Sequence, residues 1–496
     1  MKHHFFLPVV LLVFFSIPVF AQSGNKLAPP PALSSITEAD LKKDLYAMAG
    51  DHFRGREAGT LDELKVSMWW ADQLRAVGLK PAGDDGTYFQ FFSLQRNRIS
   101  SASTVSIANH TLELWKDVLV AQTGPATINA PIVFVGNGTK TDLDKADIKG
   151  KVVVILASPK DINLDVSLWE RRYPTLIANK FRNDLTSRGA AAILFITDSL
   201  AEKSWQQVVP AMSRGLYDIE GGPNAVAPTR IPIFWIHGKN NNDELKNEAI
   251  FKASINIEHF EYPSVNIIGI IEGTDPQLSK EYVLFSGHQD HDGVRLAYGT
   301  DSIYNGADDN ASACAALLAI ARAFKKNPGK RSALFVWHGA EERGLLGSRW
   351  YAAHPTVAPG SIAAVLNADM IGMNHPDSAA LLGSQPPHKN SATLVMMAIE
   401  ANNEGPHFKL DTLWDKPNHT EGFYFRSDHL PYARIGIPAI FYTTVLHSIY
   451  HTPMDEASRI DFKKLKKMTE WMYRTGWKVA NAGNRPAIDP GFKLER

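Results

Sequence analysis

Apolar residues recur at helical spacing near the start of the chain, in short unbroken runs through its middle, and in runs alternating with helices towards its end. Ser35 and Glu38 have capping-box spacing and predict a first helix. Thr60 and Glu63 repeat that spacing, and the helix they open carries Leu61, Leu64, Met68, Ala71 and Leu74 on one face until Gly78 stops it. From about 106 to 260 the texture changes. The runs APIVFVG (130–136), KVVVILAS (151–158), AAAILFIT (190–197) and IPIFWIH (231–237) are bounded by Gly, Pro, Asn and Asp and read as strands. Longer polar stretches, such as 159–188 and 198–230, separate them.

Beyond 260, strand and helix alternate. YVLFSG (282–287) precedes a helix over about 310–326, SALFVWHG (332–339) precedes one over about 344–354, and IAAVLNADMIG (362–372) and PAIFYTT (438–444) are further apolar runs. Apolar runs without alternation, separated by helices, imply a largely parallel sheet buried on both faces. The expected fold is therefore α/β: a mostly parallel mixed sheet sandwiched by helices, with a β-rich insertion. Ligand sites in such sheets lie at the carboxyl ends of the strands.

A length of 496 residues exceeds what one hydrophobic core usually serves, so two domains are expected. Lys+Arg and Asp+Glu both count 52, which gives no electrostatic case for nucleic acid or an anionic membrane surface. The start, MKHHFFLPVVLLVFFSIPVFAQS, combines basic residues, an apolar stretch from Phe5 to Phe20 and a small residue at Ala21. It predicts a signal peptide over 1–21, export to the periplasm or medium, and no stable membrane insertion after cleavage. Cys314 is the single cysteine, so an internal disulfide is excluded; within DNASACAALLAIARAF it reads as a buried core thiol.

Acidic and histidine residues gather at the strand ends. YVLFSG runs into His288 and Asp290, SALFVWHGA into Glu341 and Glu342, and IAAVLNA into Asp369. Asp308 and Asp309 stand before the Cys314 helix, and SIYHTPMDE puts His451 and Asp455 beyond the last run. In contrast, 106–260 holds no carboxylate–histidine cluster, and its His237 reads as structural. Imidazole and carboxylate donors without cysteine suit a catalytic rather than a closed structural zinc site. Two histidines and three or more carboxylates exceed the needs of one zinc ion and suit a pair about 3.5–4 Å apart.

The chain resembles the secreted, co-catalytic two-zinc aminopeptidases whose peptidase domain carries an inserted protease-associated domain. The resemblance rests on FRGREAGT, NIIGIIEGTDP, GHQDHDG, NGADDNAS, GAEERGLLGS, LNADMIG, RSDHLPYA and YHTPMDE, which occur in the family's order. It implies a discontinuous peptidase domain over 22–105 and 261–490, interrupted by a protease-associated domain over 106–260. It further implies that His288 and Asp369 hold one Zn²⁺, that Glu342 and His451 hold the other, and that Asp309 bridges them. Asp290 would orient His288, Glu341 would be the general base acting on a bridging water, and Tyr450 would either assist the oxyanion or pack as an aromatic. The substrates implied are peptides with a free N-terminus. One departure is Ala313, where the family usually has Gly. Three alternatives stay open on the same scaffold: a glutamate-type carboxypeptidase drawing on Arg426 and Arg434, a glutaminyl cyclase, and a receptor-like binding protein without catalysis.

Overall fold

The computed structural model describes Met1 and residues 28–121, 124–225, 230–238, 245 and 247–496. Apart from Met1, the expected signal peptide lies outside these residues. Among the described residues no helix is long and apolar enough to cross a membrane.

A ten-stranded sheet dominates the structure. At its centre Ala439–Thr443, Ile362–Ala368, Tyr282–His288 and Ser332–His338 lie side by side and all parallel. Their unbroken apolar sequences follow from burial on both faces. Val283 and Phe285, with Ala333, Phe335 and Trp337, enter one core, whereas Leu284, Leu334 and Val336 enter the core on the opposite face. Helices Leu61–Val77, Ala313–Lys326 and Phe462–Asn481 cover the first face; Leu346–Ala353 and His429–Arg434 cover the second. Trp70 stacks on Trp337 with ring centroids 5.3 Å apart, docking the Leu61–Val77 helix on the sheet. Parallel pairing stops at the flanks. Ile257–Ile271 joins Ser332–His338 antiparallel, Phe89–Ile99 joins Ile257–Ile271 antiparallel, and Ser378–Leu382 joins Ala439–Thr443 antiparallel.

A second, eight-stranded sheet draws all its strands from between Thr104 and Ile255, with the runs predicted at 130–136, 151–158, 190–197 and 231–237 adjacent in it. The polar stretches between those runs contain two long helices, Trp169–Ser187 and Ser199–Arg214. Leu216–Ile219, from the same segment, instead pairs with Phe89–Ile99 at the edge of the large sheet. His237 is fully bonded, with Nδ1 2.8 Å from Glu202 and Nε2 2.9 Å from the Lys116 carbonyl.

The helix starts differ from the expected ones in detail. The first helix is capped by Thr37, whose hydroxyl accepts from Asp40, so Ser35 is not the cap. Thr60 does cap the second, and Gly78 ends it in the left-handed region at φ 82°. Its buried face matches the expected one in part: Ala71 and Leu74 are buried and Leu64 packs against the core. Leu61 and Met68 are exposed, while Glu63, Val66 and Trp70 are buried. Glu63 is kept in by polar partners rather than apolar ones: its carboxylate accepts the Gly59 N–H at 2.7 Å and the Ser264 hydroxyl at 2.7 Å.

Candidate active site

The central strands deliver their chemistry at one edge. His288 ends Tyr282–His288, Glu341 and Glu342 occupy the turn after Ser332–His338, Asp369 follows Ile362–Ala368, and His451 lies on the loop after Ala439–Thr443. Asp309 belongs to the irregular turn Ala307–Ser312 that leads into the Cys314 helix. A buried guanidinium ties two of these loops together. Arg56, from FRGREAGT, donates to the carbonyls of Gln289 (2.8 Å), Asn305 (2.6 Å) and Gly306 (3.0 Å). Gly306 has φ 55°, and a Cβ there would lie 2.5 Å from the His291 ring, so both conformation and space require glycine.

Asp309 is the centre of the arrangement. Its Oδ1 lies 3.2 Å from Nε2 of His288, and its Oδ2 lies 3.1 Å from Nε2 of His451. Asp369 Oδ1 stands 3.5 Å from the same His288 nitrogen, and Glu342 Oε1 stands 3.2 Å from the same His451 nitrogen. Two groups of potential ligand atoms result, His288–Asp309–Asp369 and His291–Asp309–Glu342–His451, and they share Asp309. Nε2 of His288, Oδ1 of Asp369 and Oε1 of Glu342 are buried without hydrogen-bond geometry to any described residue. Buried polar atoms seldom stay unpaired, so converging orphans of this kind, all of them imidazole or carboxylate, fit a divalent cation such as zinc.

His291 was not expected. Its Nδ1 lies 2.8 Å from Glu342 Oε1 and 4.0 Å from Asp309 Oδ1, and it is fully buried. GHQDHDG carried the signal, since one motif offers two histidines three positions apart. Asp292, from the same motif, lies 3.1 Å from Nδ1 of His451 and orients it as carboxylates orient ligand imidazoles. Asp290 acts differently from the expectation. His288 Nδ1 meets the backbone carbonyl of Asp290 at 3.1 Å, and the carboxylate is 3.8 Å away, occupied with the amides of Glu341 and Glu342.

The remaining supports are short-range. Asp455 accepts the backbone N–H of Asp308 at 2.9 Å and of Asp309 at 3.1 Å, which fixes the turn that presents Asp309. Asp308 points away, accepting from the Gly372 N–H. Ser427 donates to Asp369 and accepts from Asn367. The Cys314 thiol donates to the His288 carbonyl, and burial pushes its pKa up, as expected of a core thiol. Tyr450 packs against the His451 ring with centroids 3.9 Å apart, and its hydroxyl accepts from Arg426. Arg426 is also held by Glu421 at 2.7 Å, and Arg434 is exposed.

Electrostatics single out Glu341. Its carboxylate lies 3.9 Å from His288 Nε2. Burial first, and then the neighbouring Glu342 and Asp369, hold its pKa well above the usual carboxylate range despite the opposing pull of His288. For His288 burial acts downwards, but Glu341, Asp369 and Asp309 together outweigh it and raise the imidazole. Glu341 and Asp369 are raised together with His288, whereas Glu342 and Asp309, despite their burial, are lowered by their histidines, so the protons of this acid-rich site gather on Glu341, Asp369 and the imidazoles.

Residues 266–475, which contain every one of these ligand candidates, match the model of peptidase family M28. That stretch is an M28 peptidase domain. The aminopeptidase YwaD of Bacillus subtilis is 24% identical to the chain over 441 residues, covering 87% of this chain and 82% of YwaD. Two solved structures share the fold across 92% of this chain at 19% identity. They are an aminopeptidase from Aneurinibacillus sp. strain AM-1, covered to 97% with TM-score 0.58, and the zinc aminopeptidase BSAP of Bacillus subtilis, covered to 99% with TM-score 0.56.

Proposed function

We propose that this protein is an aminopeptidase that removes N-terminal residues from peptides at a two-zinc centre. The observation that carries this reading is the division of Asp309 between two histidines, one oxygen facing His288 and the other His451. His288 and Asp369 would hold one ion, and Glu342, His451 and His291 the other, with Asp309 between them. The likeness to YwaD and to the two solved aminopeptidases supports the activity, and BSAP, a zinc aminopeptidase, supports zinc. When bound, the ions supply a water of lowered pKa and polarise the scissile carbonyl.

The chain's own residues do the rest. Glu341 accepts the proton of the attacking water and returns it to the leaving amine, and its burial raises the basicity of its carboxylate for that step. A cavity of about 260 Å³ borders Asp309, Glu341, Glu342 and Asp369, and Leu345, Met370, Phe423, Phe425 and Arg426 also line it. It fits an apolar N-terminal side chain. Tyr450 borders the same cavity with its hydroxyl held by Arg426, a position from which it can meet the developing oxyanion. Because Arg426 is occupied by Glu421 and Tyr450 and Arg434 is exposed, neither supports the carboxypeptidase alternative. The basic start and the apolar stretch Phe5–Phe20 support export, and the smaller sheet supports a protease-associated domain inserted in the peptidase domain.

The deciding experiment combines zinc analysis with a panel of aminoacyl, N-blocked and C-terminal-glutamate peptides. Two zinc ions per chain and cleavage only where the N-terminus is free are expected. Equal cleavage of N-blocked peptides would overturn the aminopeptidase reading, and one zinc with pyroglutamate formation would favour the cyclase.

A further inference from the structure

Beside Glu342 and His451, in a cavity distinct from the apolar pocket, four arginines converge. Arg171 and Arg214 come from the two helices of the inserted segment, and Arg295 and Arg343 come from the M28 domain; all four border one cavity of about 260 Å³ that reaches both Glu342 and His451. A larger cavity of about 410 Å³ continues outward between the same two parts of the chain, bordered by Arg171, Arg295, Tyr450 and His451.

Their countercharge is incomplete. Asp292 lies near Arg295, 3.5 Å from Arg343 and 3.8 Å from Arg171, while also holding His451. Glu57 lies 3.1 Å from Arg343 and 3.5 Å from Arg214. Among the described residues the four guanidinium groups thus have two carboxylates within ion-pair distance, and the third acid of the cavity, Glu342, is turned to His291 and His451. Glu170, the other acid bordering the outer cavity, is paired with Lys203 at 3.8 Å. Burial, and then repulsion from Arg343 and Arg171, push the Arg214 guanidinium down to about 10 against the pull of Glu57, so it stays charged at neutral pH. Arginines crowded and partly desolvated in this way lack an anion. The metal centre would not supply one, because two divalent cations held there would balance the charges of Asp309, Glu341, Glu342 and Asp369.

We infer that this cavity binds a carboxylate of the peptide substrate beyond the scissile bond, with Arg171 and Arg295 as its principal donors. Guanidinium forks suit a carboxylate in paired, charge-assisted hydrogen bonds. Each residue past the scissile carbonyl extends the chain by about 3.5 Å, so the carboxyl end of a di- or tripeptide falls beside the metal ligands. The first turn of Trp169–Ser187 also borders the outer cavity, and a helix start favours an anion. The inserted segment thereby contributes specificity, selecting short peptides with a free carboxyl end or peptides with an acidic residue just after the cleaved one. The inference rests on the peptidase reading of the adjoining site.

Equilibrium binding tests it without turnover. Zinc-loaded full-length protein carrying Glu341→Gln is titrated calorimetrically with Leu-Ala, Leu-Ala amide and Leu-Asp amide. At least tenfold tighter binding of Leu-Ala than of its amide identifies the terminal carboxylate, and the same advantage for Leu-Asp amide identifies an acidic side chain. Adding Arg171→Gln should bring the ratio close to one, and Arg171→Lys should keep most of it. Arg214→Gln, on the other helix, gives an independent reduction should the first variant fold poorly. Equal binding of all three peptides, or a preference untouched by both glutamine variants, overturns the inference. A carboxylate preference in a protein whose Glu341 form hydrolyses none of the peptides would uphold the anion site and overturn the aminopeptidase reading instead.

Discussion

The carboxylate of Asp290 accepts the backbone N–H of Glu341 at 2.9 Å through one oxygen and that of Glu342 at 3.2 Å through the other. Two adjacent side chains on a strand would point to opposite faces. Here the strand has ended at His338, and Ala340 enters the left-handed region at φ 51°, so the turn clamped by Asp290 can present both glutamates to one centre. Asp290→Ala leaves two amides without their acceptor, at a cost of about 2 kcal/mol. It should also weaken zinc binding about 10–100-fold, as loss of outer partners commonly does. Urea unfolding of the metal-free protein and zinc titration measure the two effects separately. Unchanged zinc affinity would mean that the clamp does not set the ligand geometry.

The two glutamates should separate by readout. Glu341→Gln is expected to lower kcat by about 10²–10⁴-fold, the usual reach of a general base, with the zinc content intact. Glu342→Gln and His291→Ala should instead lower zinc affinity, measured by competition with a chelator. If His291→Ala binds zinc as tightly as the parent protein, His291 is a packing residue and the His451 ion has no third imidazole or carboxylate beyond Asp309 and Glu342.

What was readable in advance followed from what repeats along the chain. Unbroken apolar runs marked Tyr282–His288, Ser332–His338, Ile362–Ala368 and Ala439–Thr443, because burial on both faces leaves a compositional trace. The antiparallel flanks left none, since pairing direction is set by partners distant in sequence. On the Leu61–Val77 helix, Ala71 and Leu74 follow the apolar pattern into the core, but Glu63 is buried by the Gly59 amide and the Ser264 hydroxyl, and hydropathy does not register such bonds. At the site, the strand ends and the resemblance together named the ligand candidates. His291 and Asp292 were passed over because only the fold shows that the residues following His288 turn back towards Glu342 and His451. The arginine cavity was invisible for the same reason, as it joins Arg171 to residues more than a hundred positions away.

Glu63 predicts a pH dependence of stability. Burial, and secondarily the Asp290 charge, raise its pKa to about 8, against an ordinary value of 4.5. Between those values the folded chain holds a proton that the unfolded chain has released, so stability falls as pH rises, by up to about 1.4 kcal/mol per pH unit. The contribution is fully present below pH 4.5 and lost as pH climbs through 8. Glu63→Gln retains an acceptor for the Gly59 N–H and leaves an amide group in reach of the Ser264 hydroxyl but cannot titrate. Urea midpoints of the metal-free proteins at pH 5, 6, 7 and 8 should therefore show the variant gaining on the parent with each step. A constant difference across the series would place Glu63 in its charged form throughout.

Glu421 ties the Trp169–Ser187 helix to the site. It accepts from the Ser167 N–H and hydroxyl, from Arg172 at 3.1 Å and from Arg426 at 2.7 Å, and Arg426 in turn donates to Tyr450 at 3.0 Å. Tyr450 packs against His451 with the rings tilted by 45°, so four contacts connect the start of the Trp169–Ser187 helix to a ligand candidate. Removing the carboxylate leaves two partly buried arginines facing each other without their shared anion, which favours separation of the helix from the loop. Glu421→Ala should therefore speed amide hydrogen exchange at Ser167–Trp169 and lower kcat several-fold while zinc content stays constant. Faster exchange with unchanged kcat would show that the latch is structural and that Tyr450 keeps its position through His451 alone. Unchanged exchange would show that the helix start is held by its packing rather than by Glu421.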